Sequence, residues 1–448
     1  MQFTTMNTAD RGCTRRCRCV KIPEALQYLS SEDGGHTLSL TRRTLLTTAA
    51  GAAVAAGTPE ATNASAAGLG DSSPAGSRGT TASFQATLDY ALAKLRSVGP
   101  SITQFPVITK FEKWTFSADG DWVGGFWPGS LWLSYVAGGG EQFKTLAIAS
   151  SQNLAPRQTD TGTHDLGFLF YPSWVTAWRL TGEEKWRAGA IKASDSLIQR
   201  YNPQGRFIRA WGSLGTPKDA GRVIMDTMMN LDLLAFATQQ TGDPKYLNIA
   251  IEHAKTTQKN FLRPDGSTPH AFDFNPETGA PIGPNTVQGY SPASAWSRGQ
   301  AWGIYGFTTM YRRTGDAQFL ATARKLADYA LSKLTPDNVP VWDYLAPQAP
   351  NDVKDASAGA IMTCGLMDLA KAAKQPAYHD SALRILTALS NTCLTTKSTR
   401  AEAILARSTR NRPAEDGIEV SVPYGDYYLI EALLRVLQPG QLAKAIGL

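Results

Sequence analysis

The residues whose types and spacing suit chemistry begin with two aspartates. Asp165 follows His164 in Thr163-His164-Asp165-Leu-Gly-Phe-Leu-Phe-Tyr171 and opens a strongly apolar run. That position predicts a helix N-terminus, where free N–H groups and the helix dipole favour an ionised carboxylate; a plain N-cap would use the same residue. Asp226 stands in Val223-Ile-Met-Asp226-Thr-Met-Met-Asn230-Leu-Asp232-Leu-Leu. Read as one apolar helix, this segment puts Asn230 on the same face as Asp226 and turns Asp232 away. Desolvation among such neighbours raises a carboxyl pKa, so Asp226 is expected to hold a proton near neutral pH and to act as a general acid. The plain alternative is a buried aspartate satisfied by local hydrogen bonds.

Polar and aromatic groups gather in two further segments. Asp121-Trp-Val-Gly-Gly-Phe-Trp127-Pro-Gly predicts a bent loop with aromatic faces before an apolar helix. Gln288-Gly-Tyr290-Ser-Pro-Ala-Ser-Ala-Trp296-Ser-Arg298-Gly-Gln-Ala-Trp302-Gly supplies an amide, a guanidinium suited to a carboxylate, and stacking surfaces. His270 adds another polar group just before a Phe-Asp-Phe-Asn turn. Two aspartates among Trp, Arg, Gln and His describe a sugar-processing site. The five histidines are scattered without metal-ligand spacing, and no nucleophile elbow, Walker loop or dinucleotide fingerprint occurs, so no metal or cofactor is expected.

The elements that must position these groups are helical. From about residue 83 an amphipathic run repeatedly ends in a turn, an acidic or polar residue, and an aromatic that opens the next run. The pattern is seen at Val136 to Phe143, Leu180 to Trp186, Thr241 to Tyr246, Thr314 to Phe319 and, without its glycine, Lys374 to Tyr378. A left-handed C-cap followed by an acidic first turn makes a short connection between antiparallel helices. Five such hairpins, irregularly spaced, plus an apolar helix from Tyr427 to Leu437, predict an all-α closed ring rather than a solenoid with a tight period. The long stretches Asp119 to Gly129 and Pro269 to Arg298 fall between hairpins and are expected to line a funnel at one face.

Of the 448 residues, 42% are hydrophobic and 18% charged, which suits a large core and excludes global disorder. The net charge of +6 is diffuse, with no basic run beyond the first twenty residues, so a nucleic-acid partner is not expected. Thr41-Arg42-Arg43-Thr44-Leu45-Leu46 begins a twin-arginine export pattern that continues through a short Ala-rich segment to Ala64-Ser65-Ala66. This divides the chain into a signal region at 1–66, a Gly/Ser/Pro-rich linker at 67–82 and a catalytic domain at 83–448. The apolar stretch is too short to span a bilayer, so the expected location is periplasmic or extracellular. Cys13, Cys17 and Cys19 lack zinc-site spacing; Cys364 and Cys393 suit either a disulfide or two buried thiols.

Four motifs carry a resemblance. Trp122-x-x-Gly-Phe-Trp127-x-Gly, His164-Asp165-Leu-Gly-Phe, the Asp226-Thr-Met-Met-Asn helix, and Gln288-Gly-Tyr with Ala-Trp296-Ser-Arg298-Gly-Gln-Ala-Trp302-Gly resemble the unsaturated glucuronyl hydrolases of glycoside hydrolase family 88, over residues 83 to 437. The resemblance implies a six-hairpin (α/α)6 barrel and, as substrate, an oligosaccharide ending in a 4,5-unsaturated uronic acid. It makes Asp226 the acid/base and Asp165 the second essential aspartate, with substrate contacts at His164, Trp127, Trp211, His270, Gln288, Arg298 and Trp302. It also implies hydration of a vinyl ether in place of displacement at the glycosidic carbon. Val287 stands where the family pattern has His, and Ser294 lies in a variable stretch. Two other readings share the motifs: an unsaturated rhamnogalacturonyl hydrolase on the same barrel, and a carbohydrate-binding protein without catalysis. The residues do not set an oligomeric state.

Overall fold

The computed structural model describes the backbone of residues 75–448, with side chains for Thr81 and from residue 83 onward. The signal region at 1–66 and the start of the segment read as a linker lie outside the described residues. Helix α1 begins at Ala75, so the rest of that segment is helical despite its Gly/Ser/Thr content. Phe84, Leu88, Ala91 and Leu95 bury one face of α1 (Ala75–Val98). Extending a packed helix backwards is far easier than nucleating one.

The remaining helices alternate between inner and outer positions. The inner set is α2 (Phe126–Ser134), α4 (Leu166–Phe170) with α5 (Thr176–Thr181), α7 (Thr227–Thr241), α9 (Ser297–Thr314), α11 (Ala356–Ala373) and α13 (Pro423–Leu437). The outer set is α3 (Glu141–Gln152), α6 (Glu184–Ile198), α8 (Lys245–Phe261), α10 (Ala317–Ser332), α12 (Pro376–Thr392) and α1, with α14 (Pro439–Ile446) after the last inner helix. Inner helices are buried nearly all round, as α2 and α11 show, whereas outer helices bury only one stripe. The turns follow the sequence signature: Gly242 and Gly315 cap α7 and α9 in the left-handed conformation, and Lys374 adopts it at the degenerate turn.

The ring closes. Consecutive inner positions pack side by side: α2 meets the turn Tyr171–Val175 that joins α4 to α5, α4 packs on α7, and the contacts run on through α9 and α11 to α13, which returns to α2. Five hairpins are continuous in sequence; the sixth pairs α13 with α1 and so joins the two ends of the described chain. The architecture is an (α/α)6 barrel. Five inner helices are each followed by an antiparallel outer one and α13 pairs with α1, so the inner helices run the same way and present their N-termini at one end.

Short strands decorate that end. β1 (Phe105–Lys110) pairs with β2 (Lys113–Ser117), and β3 (Tyr201–Asn202) with β4 (Phe207–Ile208). β5 (Arg222–Ile224), β6 (Ala271–Phe274) and β7 (Pro281–Asn285) form an antiparallel sheet with Ile224 opposite Ala271 and Ala271 opposite Asn285. The opposite end of the barrel is filled by buried ion pairs. Arg313 holds Asp232 at 2.6 Å, and Arg435 pairs with Glu431 at 2.8 Å and with Asp368. Cys364 and Cys393 are both buried free thiols.

Candidate active site

Asp165 and Asp226 sit at the N-termini of neighbouring inner helices and line one cavity of about 180 Å³ at the strand-bearing end. Asp226 is the N-cap of α7, immediately after β5, and not an interior helical residue as its apolar neighbours suggested. The β5–β6 pairing explains the difference, because the Met225 N–H donates to the His270 carbonyl at 3.0 Å before the helix starts. The same pairing sets His270 beside Asp226, with Nε2 3.7 Å from Oδ2.

A second link fixes Asp165. The Asn230 Oδ1 accepts the Phe168 N–H at 2.8 Å, while its Nδ2 donates to the Asp226 carbonyl at 3.3 Å. Asn230 therefore satisfies a free N–H of α4 that an N-cap carboxylate would otherwise take. Asp165 makes no side-chain cap bond and instead accepts from the Thr163 hydroxyl at 2.8 Å. The helices meet this closely because residue 167 is glycine: a Cβ there would lie 2.4 Å from the Asn230 Cα.

The electrostatics follow from burial. Asp226 is pushed up to about 7, chiefly by desolvation and next by the Asp165 charge, while Arg298 opposes. Asp165 is also pushed up to about 7 by burial, so the helix N-terminus does not keep it at an ordinary carboxylate value. The two differ in support. Thr163, Arg200 and Arg157 all stabilise ionised Asp165, whereas Asp226 Oδ2 has no hydrogen-bond partner among the described residues. Of the pair, Asp226 has the fewer groups that favour its ionised form.

The histidines are neutral, both pushed down to about 3 chiefly by burial. The His270 Nδ1 accepts the Val287 and Gln288 N–H groups, each at 3.1 Å. Its proton therefore sits on Nε2, which faces Asp226. The His164 Nδ1 lies 2.7 Å from the Thr227 hydroxyl and its Nε2 3.2 Å from Asp165 Oδ1, without hydrogen-bond alignment in the latter contact.

The structure brings together Asp165, Asp226, His164, Trp211 and Gln288 on the cavity wall, with His270 directly behind Asp226. Trp211 is held there by a bridge to Thr163. Three expected substrate contacts lie elsewhere. Trp127 and Trp302 are buried in the core, the latter 5.0 Å from Phe168. Arg298 is wholly buried and spends its guanidinium on Asp355 at 2.6 Å and on the Thr409 carbonyl. All three belong to segments that run into fully buried inner helices, which was the signal against them.

Sequence reasoning missed Trp122, Arg410, Asn411 and Asp416, all of which line the cavity. Trp122 precedes helix α2, which begins at Phe126, so its loop position lets one side of the ring face the cavity while the other packs on Phe168 and Tyr424. The other three come from the irregular segment before α13, which has no periodicity to read. Val287 and Ile224 add apolar wall. No group of three or more metal-ligating side chains occurs among the described residues, and no described helix is long and apolar enough to cross a membrane.

Comparison with known proteins agrees with this geometry. The profile of Glycosyl Hydrolase Family 88 matches residues 121–430. An unsaturated glucuronyl hydrolase from Bacillus sp. (strain GL1) is 37% identical over 72% of this chain and 88% of its own length. An unsaturated chondroitin disaccharide hydrolase from Streptococcus pyogenes serotype M1 is 36% identical over 78% of this chain and 90% of its own. The crystal structure of the Bacillus sp. GL1 hydrolase superposes with a TM-score of 0.77 at 34% identity, covering 80% of this chain and 97% of that one. With its two aspartates in one cavity at the N-terminal end of an (α/α)6 barrel, this chain belongs to glycosyl hydrolase family 88 and is an enzyme of that family.

Proposed function

We propose that the enzyme removes a 4,5-unsaturated uronic acid from the non-reducing end of an oligosaccharide by hydrating the ring double bond. The observation that carries this reading is a buried Asp226, its carboxyl pushed up to about 7, facing a cavity that it shares with an ionisable partner, Asp165. Vinyl ether hydration needs one proton delivered to carbon and one developing cation stabilised. Asp226 gives its proton to C4, and positive charge develops on C5 and the ring oxygen, where ionised Asp165 stabilises it. Asp226, now a carboxylate, accepts a proton from the water that adds at C5. The resulting hemiketal opens at the bond between C5 and the ring oxygen, leaving a ketone at C5 and a hemiacetal at C1. That hemiacetal releases the remaining sugar as an alcohol, so one water is consumed in all.

His270, with its proton on Nε2, keeps a donor next to Asp226 through both steps. Trp211 and Trp122 offer aromatic faces to the sugar. The unsaturated bond absorbs in the near ultraviolet and turnover destroys it. Disaccharides made by polysaccharide lyases from chondroitin, heparin, gellan or rhamnogalacturonan are therefore direct assays. Absorbance is expected to fall with glucuronyl substrates and to persist with Asp226→Asn; persistence with the unmodified enzyme on every substrate would overturn the reading. We also propose that residues 1–66 direct export by a twin-arginine route, on the strength of Arg42-Arg43 and Ala64-Ser65-Ala66. Replacing both arginines by lysine is expected to retain the protein inside the cell.

A further inference from the structure

The substrate proposed above carries a carboxylate on C5, next to the carbon that is protonated, and the cavity must receive that charge. Its walls are acidic: Asp165, Asp226 and Asp416 line it, Asp121 stands at its edge, and His164 is neutral. Arg298, the expected partner for a carboxylate, is sealed behind Trp296 and Tyr424 and is already paired with Asp355. Arg410 is the one Arg or Lys among the residues lining the cavity.

We propose that Arg410 binds the uronate carboxylate of the substrate, exchanging Asp121 for it, and so determines specificity for the acid form of the sugar. This inference rests on the function proposed above. Its first support is how firmly the backbone of residue 410 is built. The Arg410 carbonyl accepts from Gln288 Nε2 at 3.0 Å and from Arg298 Nη2 at 2.5 Å, while its N–H donates to the Gly417 carbonyl at 2.7 Å. Gln288 and Arg298 thereby become positioning residues that act through the main chain of residue 410. This gives the sealed Arg298 a role at the site that does not require it to touch substrate.

The second support is the state of the side chain. One guanidinium nitrogen is held by Asp416 at 2.8 Å, and the other contacts Asp121 at 3.1 Å. Arg410 is 21% exposed and Asp121 47%, so the Asp121 contact lies at the solvent edge. An ion pair of that kind contributes little and exchanges readily. A substrate carboxylate presents two oxygens to the planar fork, which a carboxylate and a guanidinium match better than any other pair. Asp416 remains behind to hold the orientation.

The test compares an unsaturated glucuronyl disaccharide with its uronate methyl ester, which keeps the double bond but loses the charge. The unmodified enzyme is expected to prefer the acid in kcat/KM. In Arg410→Gln the acid is expected to lose about 10- to 100-fold, the range of a charge-assisted hydrogen bond, with the ester within about threefold of its original value. Arg410→Lys should recover part of the preference. Asp121→Asn, a change at an exposed position, should lower KM for the acid and leave kcat in place. An equal loss for acid and ester in Arg410→Gln, or an unmodified enzyme that turns over both equally well, would overturn the inference while leaving the proposed function intact. An unmodified enzyme that consumes neither would overturn both.

Discussion

Replacing Asp226 by asparagine removes a titrating group while keeping its shape, and the structure sets what stability should then do with pH. Burial lifts this carboxyl from 3.8 to about 7. Below pH 3.8 both folded and unfolded chains carry the proton and the group contributes nothing. Between 3.8 and 7 the unfolded chain has released the proton and the folded chain has not, so stability falls as pH rises; above 7 the loss is complete. That rise, at about 1.4 kcal/mol per pH unit, corresponds to at most about 4 kcal/mol. Of this, about 3 kcal/mol falls between pH 5 and pH 8. The amide of the variant does not titrate, so Asp226→Asn is expected to gain stability relative to the unmodified enzyme by up to about 3 kcal/mol across that interval. Urea unfolding of both proteins at pH 5 and pH 8 reads the difference directly. The variant should also lose about 10²- to 10⁴-fold in kcat, the range of a general acid. Parallel pH dependences would refute the reasoning: Asp226 would then carry no buried proton, and the proposed donor to C4 would be gone.

Three further outcomes are expected. Gly167→Ala would drive a Cβ into the Asn230 backbone; the separation of α4 and α7 should cost about 1–3 kcal/mol in denaturant unfolding, and kcat should fall because both aspartates ride on those helices. His270→Ala would leave the Val287 and Gln288 N–H groups without their acceptor, a loss of about 1–3 kcal/mol in all because both donors are only partly buried, and kcat/KM should drop with it. The two tryptophans separate by location: Trp302→Ala should destabilise by about 3–5 kcal/mol as a buried cavity mutant, whereas Trp211→Ala should leave unfolding nearly unchanged and raise KM about tenfold.

The sequence by itself determined the helices, their pairing and the two aspartates. Hairpin turns are local events: a residue able to take positive φ, an acid at the next N-terminus and an aromatic to bury, all within a few positions, so α7–α8 and α9–α10 were legible directly. A carboxylate amid apolar side chains is equally visible, because its desolvation depends on its near neighbours. Tertiary structure decided which polar groups face the cavity. Arg298 and Trp302 lie on the same segment as Gln288, yet ring closure turns their helix face inward and leaves only Gln288 on the wall. Asp226 became an N-cap because β6, some forty-five residues later, captured β5. Arg410 comes from a segment without periodicity and reaches the site only because α13 closes the ring against α2 and α1. Burial and capping are read from neighbours in the chain, but a cavity is made by residues that are neighbours only in space.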